Sequence, residues 1–213
     1  MTTNKQSTSR IDFNLVLILL LLCIVSCVSI YSAQSTGQYQ ENFFLKQIVW
    51  YCVGTMIIAS VITLDSDQLK KISWYAYGFG IFLLAFLIIA PDAIAPVING
   101  AKSWYKIPGM GSIQPSEFVK VFIILALSRV IVEHHHKYIV KTIQTDWMLL
   151  FKLGGVTMVP LLFVMQQPDL GTSLVFIAIL LGMIFISGIT WKILVPIFSS
   201  AVVLIAVIFY FVL

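Results

Sequence analysis

Seven long apolar stretches constrain this chain more than any other feature: residues 13–30, 43–62, 74–90, 117–132, 149–165, 170–189 and 193–213. A helix needs about 20 apolar residues to cross a bilayer. The 213 residues therefore accommodate roughly six to eight spans with short connections, and leave no room for a sizeable soluble domain. The hydrophobic share of 60% and charged share of 10% agree, since a soluble domain carries roughly 25% charged residues. The same figures exclude a disordered chain, a collagen-like chain and a disulfide scaffold. The predicted fold class is an all-α integral membrane protein, a polytopic helical bundle forming one transmembrane domain over residues 1–213.

Charge patterning gives the expected orientation. With the N-terminus inside, the inner side holds Lys5, Arg10, Lys70, Lys71, Arg129, Lys137, Lys141, Lys152 and Lys192. The outer side holds Lys46, Lys102 and Lys106, and Lys120 lies within a span. Basic residues accumulate on the cytoplasmic side of short loops, so the expected N-terminus is cytoplasmic. The net charge of +4 is then a membrane-topology signal rather than a nucleic-acid one. Trp50, Trp74, Trp147 and Trp191 fall near predicted helix ends, as an interfacial belt requires. The first apolar run exceeds a signal-peptide core and lacks a small-x-small cleavage pattern, so it is read as a retained helix. The last residues, Ile208 to Leu213, are still apolar, and the expectation is a chain truncated at an outer loop.

Cys23, Cys27 and Cys52 all lie in apolar runs without His or acidic neighbours, and read as small buried hydrophobes. His134, His135 and His136 are predicted in an inner loop, residues 133–146, as solvated side chains. Adjacent residues meet tetrahedral metal geometry poorly, so no metal site is assigned.

Two elements carry more chemistry. In Gln114-Pro115-Ser116-Glu117-Phe118-Val119-Lys120, proline and an acid start a helix in the favoured places. Lys120 then follows Glu117 at i+3 on the same face, about 5 Å deeper. A lysine inside a span costs about 2.5–3.5 kcal/mol and usually faces a polar cavity and a partner. In Gln166-Gln167-Pro168-Asp169-Leu170-Gly171-Thr172, proline and an acid again start a helix on the expected outer side. Two such helix starts and a lysine suit an anionic group such as a phosphate. The carboxylates would repel it unless they held a cation or a proton, or paired with Lys120. Asp169 also fits a plain helix cap. The long outer loop, residues 91–116, contains the turn signals Asn99-Gly100 and Pro108-Gly109, with Trp104 and Tyr105 between Lys102 and Lys106. That patch fits either a bound lipid pyrophosphate or sugar, or an anchor at the headgroups.

The order and spacing of Asn99-Gly100-Ala101-Lys102-Ser103-Trp104, Gln114 to Lys120 and Gln167 to Thr172 resemble the SEDS family of bacterial shape, elongation, division and sporulation proteins. Lys46-Gln47 with Trp50 and Gly54 adds to the likeness. The resemblance implies a peptidoglycan glycosyltransferase that polymerises lipid II at the outer face of the bacterial cytoplasmic membrane, in company with a class B penicillin-binding protein. It implies that Glu117, Lys120, Asp169 and Gln114 are polar cavity residues, and that Lys102 and Trp104 contact substrate from the outer loop. Two departures stand out. Ser103 occupies a position where many members carry Arg. The later outer loop that bears the family's catalytic Asp is absent, so no catalytic base is assigned. A divalent cation is an open cofactor expectation; no nucleic-acid partner is expected. The competing readings are a lipid II flippase or lipid-linked transporter, and a non-catalytic scaffold for cell-wall synthesis.

Overall fold

The computed structural model describes residues 12–35, 42–98, 100–107 and 111–212. Lys5, Arg10, Asn99, Pro108, Gly109 and Leu213, all used in reading the sequence, lie outside the described residues. Within them the chain forms seven helices and one small antiparallel hairpin. It divides into two compact units, Met1–Leu64 and Asp65–Leu213.

The first unit is a helical hairpin of α1 (Phe13–Gln34) and α2 (Phe43–Ile62). Each helix opens on a side-chain cap: Asp12 accepts from the Asn14 amide at 2.9 Å, and Asn42 from the Leu45 amide at 3.1 Å. The two helices meet through Tyr31 and Phe44, edge to face at 5.6 Å, and through the Phe44 amide donating to Gln34 Oε1 at 3.0 Å. Neither helix contains a buried residue. Leucines and isoleucines therefore cover the outside, the pattern of a surface solvated by lipid.

The second unit contains α3 (Ser66–Ile89), β1 (Tyr105–Ile107), β2 (Gly111–Ile113), α4 (Pro115–Lys137), α5 (Ile143–Gln166), α6 (Leu170–Ile186) and α7 (Trp191–Val212). Helix α4 packs on α3, α5 and α6, and its Val119, Ile123 and Leu127 are fully buried with Leu84, Leu153, Val164 and Phe176. At Gly80 a side chain would lie 2.9 Å from Val119 Cγ2, so the missing Cβ lets α3 and α4 approach closely. Helices α1, α2, α3 and α5 are long and apolar enough to cross a membrane, and α6 is apolar but shorter. This is an all-α, multi-pass membrane bundle.

Several helix ends differ from the sequence expectations, among them the end of α1 at Gln34 and the start of α5 at Ile143, and three differences have a clear physical reason. The third helix starts eight residues earlier than 74, at Ser66, where the Asp65 amide donates to Gln68 Oε1 at 3.0 Å. Its first turns carry Asp67, Lys70 and Lys71, so they are helical without being hydrophobic. The fourth helix runs on past residue 132 to Lys137, which corrects the placement of His134, His135 and His136 in a solvated loop. Basic side chains in a last turn favour the negative end of a helix dipole. His134 is buried with its ring 4.7 Å from that of Tyr138, and His135 Nε2 lies 2.8 Å from the Ser187 carbonyl; His136 alone is exposed. The loop between α3 and α4 contains a two-stranded ladder, Tyr105 opposite Ile113 and Ile107 opposite Gly111, where only turns were expected. Tyr105 pins it to α3 by donating its hydroxyl to the Leu83 carbonyl at 2.8 Å.

Candidate functional site

The site begins with two helix starts. Pro115 at the first position of α4 supplies a fixed φ and lacks the amide proton that would otherwise be orphaned. Gln114, at the cap position, makes no cap hydrogen bond. Its amide instead reaches across to the other helix, donating to Asp169 Oδ2 at 2.8 Å and to Thr172 Oγ1 at 3.4 Å. Asp169 caps α6 in turn: its Oδ1 accepts from the Thr172 amide at 2.9 Å and its Oδ2 from the Thr172 hydroxyl at 2.7 Å. Pro168 immediately precedes this cap and ends the preceding turn.

One helical turn into α4, Lys120 Nζ meets Glu117 Oε2 at 2.7 Å. The lysine side chain is 22% exposed and the glutamate 55%, so the carboxylate sits nearer the mouth and the cation further in. These groups line one open cavity of about 590 Å³, whose wall includes Trp104, Gln114, Glu117, Lys120, Asp169 and Thr172. Five of the six residues expected at the site thus surround a single space. Lys102 does not: its ammonium is held by the Asp92 carboxylate at 3.1 Å and by the Ala90 carbonyl, away from the cavity. Through these two contacts Lys102 ties the loop to the end of α3.

Ser103 and Thr172 were missed as individual residues. Ser103 is buried on the cavity wall with no partner for its hydroxyl among the described residues. Thr172 had a legible signal, a hydroxyl three residues after a potential cap, which is the reach of a capping side chain. A second cavity of about 640 Å³ lies against the other face of α4's first turns, walled by Phe79, Phe82, Phe86, Tyr105, Phe118 and Phe122. A polar space and an apolar one therefore flank the same helix start.

The donor set fits a divalent cation poorly. Among the described residues no group of three His, Cys, Asp or Glu side chains is placed to hold a metal ion. Asp169 already accepts three hydrogen bonds and Glu117 is paired with Lys120. Lys120 and the two helix N-termini are the positive charge the site itself supplies.

The family model of the FtsW/RodA/SpoVE cell cycle proteins matches residues 8–213. The chain belongs to this family. Among its relatives are the peptidoglycan glycosyltransferase RodA of Treponema pallidum (strain Nichols), 32% identical over 86% of this chain and 40% of that protein. Stage V sporulation protein E of Bacillus subtilis (strain 168) is 31% identical over 88% of this chain and 50% of its own length. The chain thus spans about half or less of these curated relatives. Among solved structures, a chain of a peptidoglycan synthase complex, described as coordinating polymerization and crosslinking, superposes with a TM-score of 0.70. That match covers 94% of this chain and 55% of the other at 23% identity, so it shows that the FtsW/RodA/SpoVE chain here shares the fold.

Proposed function

We propose that this chain forms the leaving-group side of a peptidoglycan glycosyltransferase that polymerises lipid II at the outer face of the bacterial cytoplasmic membrane. The observation that carries the reading is Lys120, a cation set inside the cavity at the joint start of α4 and α6, with an exposed carboxylate as its ion-pair partner among the described residues. In the transfer, a sugar hydroxyl attacks the anomeric carbon of the donor and the bond to pyrophosphate breaks. Negative charge then develops on the departing pyrophosphate. A preorganised ammonium and two helix N-termini stabilise that charge where it forms. Glu117 holds Lys120 in place until the anion arrives. Gln114, Asp169 and Thr172 lock the two helix starts at one spacing, and Trp104 supplies an apolar wall against a sugar face. Both carboxylates are engaged, so they position the site, and neither is assigned as the base.

The apolar cavity beside α4 gives a lipid-linked substrate a wall of aromatic rings next to the polar space. The family resemblance supports a crosslinking partner of the class B penicillin-binding type. The basic-residue count supports a cytoplasmic N-terminus.

Polymerisation of purified lipid II by the reconstituted protein with its partner tests the reading. Lys120→Ala is expected to lower glycan yield by about two orders of magnitude, the scale of losing one charge-stabilising donor, while insertion and expression persist. Undiminished polymer from that variant overturns the assignment. Lipid II translocation without polymer would instead establish the transporter reading.

A further inference from the structure

The opposite end of the second unit holds a different cavity, of about 570 Å³, between α3, α4 and α5. Its walls include Trp74, Glu133, His134, Lys137, Lys152 and Gly155. Lys152 lies three residues into the span expected over 149–165, at the edge of the apolar run, and is exposed. An ammonium at the edge of a span favours a counter-charge. Among the described residues, no carboxylate lies within 4.0 Å of Lys152 or Lys137. Lys137 lies over the ring of Tyr138, 5.5 Å away. Glu133, the one acid on the wall, is taken by Arg129 at 2.6 Å. The cavity therefore carries uncompensated positive charge.

Its shape adds an independent observation. Gly155 is a destabilising choice in the middle of a helix, normally retained where another backbone packs close. Here nothing lies within 4 Å of the position a Cβ would take. The space above it is open, and it faces the two lysines. His134, also on the wall, is buried with an Nδ1 that has no partner among the described residues.

We propose that this cavity binds the phosphodiester headgroup of an anionic membrane lipid, with Lys137 and Lys152 as its counter-charges. Basic pockets between spanning helices take such headgroups, and Lys152 is placed where a membrane-borne phosphate reaches it and a dissolved one does so less readily. Trp74 offers the amphipathic ring that sits at headgroup level. The open flank over Gly155 lets an acyl chain run down α5. The proposed orientation assigns the site to the inner leaflet, but binding itself does not depend on orientation. Cysteine labelling for topology therefore fails or succeeds separately.

The test is native mass spectrometry of the detergent-purified chain after incubation with phosphatidylglycerol or phosphatidylcholine at equal concentration. Phosphatidylglycerol should be retained over phosphatidylcholine. Retention should weaken roughly fivefold for each of Lys137→Gln and Lys152→Gln, the usual weight of one basic residue at a headgroup. Gly155→Leu, which keeps every charge and fills the space, should abolish the preference. Far-UV circular dichroism checks that each variant folds; if those on α5 do not, Lys137→Gln at the exposed end of α4 carries the test alone. Equal retention of the two lipids overturns the proposal, as does a preference that survives the lysine variants. Displacement by excess inorganic phosphate also overturns it, by assigning the site to a soluble anion.

Discussion

At the scale of single residues, Asp169 shows how one side chain serves fold and site together. It caps α6 and receives Gln114 from the start of α4, 55 residues away. Truncation to alanine removes the cap, worth about 1 kcal/mol, and strands the Gln114 amide. Asp169→Ala is therefore expected to lower stability by about 1–2 kcal/mol, measured as a shift of the thermal unfolding midpoint in detergent. Asp169→Asn, itself a good cap, should recover most of that loss. His134, beyond the expected end of its span at residue 132, gives a pH dependence. Burial pushes its imidazole below the ordinary 6.5, Lys152 and His135 add to this, and Asp146 and the Thr145 backbone oppose it. The folded state then binds fewer protons than the unfolded one. Its contribution is complete above 6.5 and is lost as the pH falls through the lower, folded value. Thermal midpoints taken between pH 7.5 and 5 should fall, and His134→Phe should flatten that slope.

At the scale of elements, helix pairs are fixed by small residues and by loop ties. The Gly80 approach between α3 and α4 tolerates no bulk, because Val119 is buried and branched at Cβ. Gly80→Leu should cost about 1–3 kcal/mol by overpacking, read as lost resistance to chemical denaturation. The same elements show what a sequence carries and what it hides. The second span was legible to the residue, 43–62, because its apolar run is bounded by polar caps. The start of α3 and the end of α4 were not, because Lys70, Lys71 and His134 to Lys137 are helical while hydrophilic. The motif residues Gln114, Glu117, Lys120 and Asp169 could be picked out as a set, since each sits beside a proline-acid helix start. The bond from Gln114 to Asp169 and the capture of Lys102 by Asp92 are tertiary contacts, and local spacing carries no record of them.

At the scale of the whole molecule, basic side chains gather towards one end of the second unit, where they outnumber the acids. The second unit puts Glu117, Lys120 and Asp169 at one end, and Arg129, Lys137, Lys141 and Lys152 towards the other. Cysteines introduced at Val97 and Ile139, both exposed, should react with an impermeant maleimide from opposite sides of the membrane, Val97 from outside in intact cells. Labelling at Ile139 from outside would reverse the proposed orientation and leave the fold untouched.

The short sixth helix gives the bilayer itself a part. Its 17 residues extend only about 26 Å, against a hydrocarbon slab of about 30 Å. Where a helix falls short, lipids compress or water dips to meet its end. One of its two ends is the Asp169 cap, so thinning at that end is expected to bring the headgroup region towards the mouth of the polar cavity.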